Sequence, residues 1–234
     1  MLYSTRMQLF FPLARAVGQL DDRAFLGVLA RCLAWSAACF VALHLAAVWA
    51  VARVLHWHGL LGWAAGVLAS IGASLLAGWL FLPLAAVIGT MYIDRIADAV
   101  ERRYYPMLPP TRGAPLAPLL WEGISLGARI LALNLLALVL VVVLPGIGFM
   151  LAWAIAAYAI GRGLFVAVAM RRMPRPAADL VYRSARGIIL AYGGIMALAA
   201  YVPLLNLFIP VLGTAAMVHV LDLSLTQLRQ RACP

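Results

Sequence analysis

Four long stretches of this chain carry no charged side chain: Cys32 to Ala52, Val54 to Ile93, Ile130 to Gly161 and Gly187 to Leu221. About 20 apolar residues suffice to cross the hydrocarbon of a bilayer as a helix. Inside that hydrocarbon a backbone must satisfy its own hydrogen bonds, and a helix does so within one segment. The longest runs exceed one crossing, so they must bend, turn back or lie partly outside the hydrocarbon. The balance of 66% hydrophobic to 11% charged residues, with a mean hydropathy of +1.00, excludes an ordinary soluble domain. These features predict an all-α integral membrane protein.

Breakers and charges divide the chain. Residues 1–23 read as an interfacial amphipathic leader, because the apolar run soon meets Arg15 and lacks the uninterrupted core of a signal peptide. Residues 24–105 predict two long transmembrane helices joined through the tip "RVLHWHGLLG", with Pro83 kinking the second. The end of that second helix, "YIDRIADAVERRYYP", is amphipathic and projects into water. Residues 106–118 form a proline-rich cytoplasmic link, and 119–170 a first helical hairpin turning at Pro145-Gly146. A basic cytoplasmic segment, 171–186, leads to a second hairpin and tail, 187–234, whose apex holds Pro203, Asn206 and Pro210. In that apex Pro203 is expected to end one arm and Pro210 to open the next. The uncharged hairpin arms of about 14 to 16 residues measure about 21 to 24 Å as helix, short of a core of about 30 Å. Either the hairpins penetrate partway or Arg129 and Arg162 sit at membrane depth; full crossing would give up to six membrane segments.

All 18 basic residues are arginine, and against eight acids they leave a net charge of +10. The clusters before the first span, at 95–112, at 171–186 and at the tail flank the spans on one side and only Arg53 lies on the other, which predicts both termini in the cytoplasm. The arginines are dispersed between apolar runs, with no basic arm interleaved with aromatics, so nucleic acid is not an expected partner. Cys32 and Cys39 stand two turns apart on a helix, roughly 10 Å and beyond disulfide reach. The pair His56 and His58, without carboxylate or cysteine company, makes a poor metal site and reads as part of an interfacial aromatic belt with Trp57. No cofactor is implied. Glu122 and Asp179 are the only acids between Arg102 and Leu221, and no nucleophile motif stands out, so no catalytic residues are assigned and an enzyme is not expected.

The residues that point to function are arginines at or inside the membrane, which are functional candidates by default. Arg129 and Arg162 lie at similar distances from the first hairpin tip and could face one cavity, with Glu122 seven residues before Arg129 as a charge partner. Snorkelling to headgroups is the plainer role for both. Gly62, Gly66, Ser70, Ser74 and Gly78, spaced by four, form a small-residue stripe for close helix packing. Asn206 can satisfy backbone groups freed by the prolines.

With "GQLDDRAFLGVLARCL", "IADAVERRYYPMLPP" and "VPLLNLFIPVLGTAAMVH" in view, the sequence resembles the bacterial CysZ sulfate transporter family and its relatives sharing the etoposide-induced-protein domain. The resemblance implies two long transmembrane helices plus two partly inserted hairpins, assembled as a homo-oligomer in the inner membrane and taking up sulfate. Arg23 stands where the family carries a Gly-Leu-Arg stretch, here "DDRAFLG", which makes it the motif-based anion candidate beside its plainer role as an interface anchor. Where relatives carry an acidic residue with aromatics, this chain reads "YAIGRGLF". The expected function is therefore an oxyanion permease or channel-like transporter, with Arg23, Arg129, Arg162 and Asn206 as anion-binding candidates. The rival is a non-transporting membrane scaffold or membrane-shaping protein that binds anionic lipid.

Overall fold

The structure, a computed structural model, describes residues 12, 14–18, 23–54, 63–64, 66–75, 92–111, 113–143 and 145–232. The tip histidines His56 and His58, the stripe glycines Gly62 and Gly78, and Pro83 lie outside the described residues. The described residues are helical with short connections: α1 (Arg23–Val54), α2 (Gly66–Leu75), α3 (Ile93–Tyr104), α4 (Leu116–Val143), α5 (Pro145–Ala169), α6 (Arg175–Ala199) and α7 (Pro203–Ala232).

Proline sets the starts of the last three helices. Pro145 and Pro203 are the first residues of α5 and α7, and Pro176 follows Arg175 in the first turn of α6. In a first turn the missing N–H has no helical partner to lose and the fixed φ is already helical. The second hairpin therefore breaks at 200–202, and Pro203 opens a helix where the sequence reading has it ending one. Pro210 falls inside α7, which leaves the Asn206 carbonyl without its usual donor four residues on. Thr214 Oγ1 donates to the Pro210 carbonyl at 2.6 Å in the next turn. In the basic segment only 170–174 is a turn, and from Arg175 onward its charges ride on the first half of α6. Arg175, Asp179, Arg183 and Arg186 recur every three or four residues, so they share one helical surface.

The centre of the molecule is α5 packed on α6, with α7 and the amphipathic α3 closing around them and α4 lying along α5. Ile96, Phe165, Ile189, Tyr192 and Met217 are fully buried there. On α3 the buried positions Ile93, Ile96, Ala97 and Val100 follow the spacing of one helical face. Where α5 crosses α6 the backbones touch: a Cβ on Gly161 would sit 2.7 Å from the Ile189 carbonyl oxygen, and one on Gly193 would overlap the Ala157 carbonyl. Trp153 Nε1 donates to the Gly194 carbonyl at 3.1 Å beside this crossing. Only glycine permits that approach.

Among the described residues, four helices are long and apolar enough to cross a membrane by length and composition: Leu26–Ala46, Leu116–Ala137, Gly146–Ala169 and Phe208–Gln230. The helices run on past Arg129 and Arg162, so arm lengths counted from charge to charge understate them: α4 and α5, at 28 and 25 residues, measure about 42 and 37 Å. Burial differs sharply among the four spans, from 7% on α1 and 11% on α4 to 72% on α7. The exposed sides of α1 and α4 are rows of Leu, Val, Ile and Trp, including Trp35, Leu45 and Trp49, and Leu120, Ile124, Leu131 and Leu135. Apolar surface on that scale requires lipid or another apolar partner.

Candidate functional site

Two groups of buried charge sit on this frame. In the first, Arg162 projects from α5 between α4 and α6, where Nη2 donates to Glu122 Oε1 at 2.7 Å and Nη1 to Asp179 Oδ1 at 2.9 Å. The guanidinium lies 5.2 Å from the Tyr182 ring centre. Glu122 is also buried, and its second oxygen accepts from Arg175 Nε at 2.6 Å. Two guanidiniums thus face two carboxylates. One donor is left over: Arg162 Nε is buried and has no hydrogen-bond partner. A buried donor without an acceptor is costly, which marks the place as one with unused recognition capacity.

The second group centres on Arg171, in the turn between α5 and α6. Its side chain is 1% exposed and donates to Asp94 at 2.8 Å, to Glu101 at 3.0 Å, to Thr111 at 3.0 Å and to Asp98. Arg172 joins through Glu101 at 2.7 Å. Asp94, Asp98 and Glu101 repeat at four and three residues along α3, so one face of that helix offers three carboxylates to one fork. The loop after α3 closes over them: Gly113, at φ +81°, places its backbone so that a Cβ would lie 3.3 Å from the Asp94 carboxylate. Glycine suits that left-handed conformation.

Beside this group, Tyr105 and His219 share a hydrogen bond of 2.7 Å, with the Tyr104 ring edge-on to the imidazole at 5.0 Å and Arg15 over Tyr104. His219 therefore serves helix-to-helix contact, and its Nε2 is buried without a partner. The Tyr105 phenol is pushed up to about 12, chiefly by burial and then by the negative charge of Asp222, while Arg15 pulls the other way. The folded protein thus favours the neutral phenol. Its contribution to stability is complete below the ordinary tyrosine value of about 10 and is lost as pH rises from there toward 12. Tyr105→Phe, which cannot ionise, is expected to flatten the fall of the unfolding midpoint across that interval. Equal slopes for the two proteins would contradict this account.

The anion-binding candidates read from the sequence do not converge. Arg23 is exposed as the first residue of α1, and Asn206 is half-buried near the start of α7, where its N–H donates to the Val202 carbonyl at 2.9 Å. Arg129 is exposed on α4 while Arg162 is buried, so the two do not share an enclosed site within one chain. Glu122 partners Arg162 and Arg175 in place of Arg129. Of the stripe, Ser70 and Ser74 donate to the carbonyls of Gly66 and Ser70 on their own helix, at 2.9 and 2.8 Å, and nothing among the described residues lies within 4 Å of a Cβ built on Gly66. Sequence reasoning passed over Arg171, Arg175 and Asp179. The legible signal was the run Asp94, Asp98, Glu101 on an amphipathic helix, which asks for a basic partner elsewhere in the chain.

The comparisons with known proteins bear on this arrangement. Residues 12–210 match the family model described as Sulfate transporter CysZ/Etoposide-induced protein 2.4. No curated protein and no solved structure matches the chain. A match over most of the chain, on an all-helical frame with four membrane-length apolar helices, places this protein in the CysZ/etoposide-induced-protein family.

Proposed function

We propose that this chain is a bacterial inner-membrane permease or channel-like transporter for a small oxyanion, with sulfate, the anion in the family's description, as its substrate. Family membership and the membrane-length helices support a general role in membrane transport. The observation that carries the oxyanion is Arg162, a buried guanidinium on an apolar helix with an unpartnered Nε. An arginine fork matches the geometry of a tetrahedral oxyanion. Glu122 and Asp179 hold the fork in place while no anion is present. Because Glu122 and Asp179 already balance Arg162 and Arg175, an entering anion must take over donors that the carboxylates hold. Binding is then an exchange of partners, which keeps it weak enough to release the anion on the other side. Arg23 and Arg129, both exposed, serve capture at the membrane surface in this reading, and the exposed apolar faces of α1 and α4 serve assembly with further copies. Both termini lie in the cytoplasm, and no chemical transformation of the anion is involved.

Sulfate flux into proteoliposomes tests this reading. Saturable uptake is expected, with Arg162→Gln lowering it on the order of a hundredfold, as loss of a charge-assisted pair predicts. No saturable flux above protein-free vesicles, in either orientation, would overturn the proposal and favour a scaffold role.

A further inference from the structure

An anion that reaches Arg162 meets two carboxylates there, Glu122 and Asp179. An ionised carboxylate only accepts hydrogen bonds, and so does sulfate, which carries no proton near neutral pH. We propose that the site prefers tetrahedral oxyanions that bring their own proton, dihydrogen phosphate being the simplest, and that sulfate is the weaker substrate. The inference rests on the reading of Arg162 as the oxyanion site and concerns which anions that site selects.

The exchange of partners leaves one atom to be satisfied. Both Glu122 oxygens are in use, Oε1 accepting from Arg162 Nη2 at 2.7 Å and Oε2 from Arg175 Nε at 2.6 Å. The Glu122 side chain is 5% exposed, so water does not replace a donor that it loses. Asp179, at 31%, can turn to water when Arg162 lets it go. An anion that takes over the Arg162 fork therefore strands Glu122 Oε1 alone. A buried acceptor without a donor costs about 1 to 3 kcal/mol, and more when it is charged. Sulfate sets a further acceptor against it. The O–H of a proton-bearing oxyanion donates to Oε1 while its other oxygens accept from the guanidinium, so each bond that the exchange breaks at Glu122 is made again. A site that hydrogen-bonds a substrate O–H rejects the analogue without one.

Charge points the same way. Arg162 and Arg175 balance Glu122 and Asp179, so the group is neutral before an anion enters. Sulfate brings two negative charges into it and dihydrogen phosphate one. Uncompensated charge is costly where side chains are buried, and the cost grows with the charge. The free donor, Arg162 Nε, can greet either anion and does not discriminate between them. Discrimination falls to Glu122.

The test is inhibition of sulfate uptake into proteoliposomes at mildly acid pH, with phosphate and selenate as competitors. Selenate is tetrahedral and carries no proton there, so the pair isolates the proton from shape. Phosphate is expected to inhibit on the order of tenfold more strongly than selenate, the worth of one hydrogen bond to a charged group. Labelled phosphate should also enter the vesicles. Glu122→Gln, whose amide can donate to a deprotonated anion, should lose or invert the preference by binding selenate better, whereas Asp179→Asn should shift it less. Saturable sulfate uptake that selenate inhibits as strongly as phosphate would overturn this inference and leave the transport reading standing. No saturable uptake of any of these anions would overturn both. A phosphate preference unchanged in folded Glu122→Gln would also overturn the inference, and the wild-type ratio decides by itself where that variant does not fold.

Discussion

Gly193→Val is expected to remove the folded protein from solution, with the monodisperse fraction in detergent falling to near zero. A Cβ at this position would overlap the Ala157 carbonyl and come within 3.0 Å of Gly161 Cα. Both obstacles are backbone, so no rotamer change relieves them, and the α5–α6 crossing that anchors the bundle must open. Overpacking in a core costs about 1 to 3 kcal/mol where side chains can yield. Here the cost lies at or beyond the upper end of that range. Gly127→Ala is the control, because a Cβ there meets nothing within 4 Å on exposed α4. That change should be neutral or raise the unfolding midpoint slightly, since alanine favours helix by about 1 kcal/mol over glycine. An unshifted midpoint in Gly193→Val would mean that the two helices do not cross at this point.

The second large effect is expected at Arg171. Arg171→Met keeps the stem volume and removes the charge, leaving Asp94, Asp98 and Glu101 to face one another. Breaking a buried charge group from one side costs about 3 to 5 kcal/mol. Not every partner contributes equally: the Asp94 and Asp98 side chains are 51% and 42% exposed and can turn to water, whereas Glu101 is 10% exposed and cannot. Most of the penalty therefore falls on Glu101. Limited proteolysis should show α3 and the 105–115 loop cleaved faster, with α5 and α6 still protected. The double variant Arg171→Met/Glu101→Gln should recover part of the loss, because the most buried of the three carboxylates, left with Arg172 as its remaining partner, is then neutral. A double variant no more stable than the single one would show that repulsion is not the cause. Arg171→Lys should recover less, since an ammonium cannot fork to three carboxylates.

The helical class and the long apolar helices were legible in the sequence, because uncharged length determines them with little help from tertiary context, and Pro145 opens α5 as a first-turn proline does. The second hairpin was legible in kind but displaced at its apex. Pro203 and Pro210 are chemically equivalent breakers, and only packing decides which opens a helix and which is carried inside one. The helical state of the basic segment was not legible from its arginines alone: Arg162 and Glu122 bind its Asp179 and its Arg175 where the chain runs as the start of α6. Arg162 stood out from the sequence as a charge on an apolar arm. Its partners did not, since Glu122 and Asp179 are distant in sequence and meet it only when three helices assemble. Arg171 was the least legible, because nothing local distinguishes it from Arg172 next to it.

The sequence separation within the Arg171 group also sets an order of events. Asp94 and Arg171 are 77 residues apart, so at synthesis rates of about 5 to 20 residues per second the acids of α3 emerge roughly 4 to 15 seconds before their arginine exists. Through that interval the carboxylates of α3 lack their arginine, although α1, against which α3 also packs, has already been made. Glu122 waits about half as long for Arg162, at a separation of 40 residues. The hairpin can therefore form while the ribosome is still at work. The fastening of α3 comes late, after the α5–α6 turn has left the exit tunnel, and a chain truncated before that turn would leave α3 unsecured.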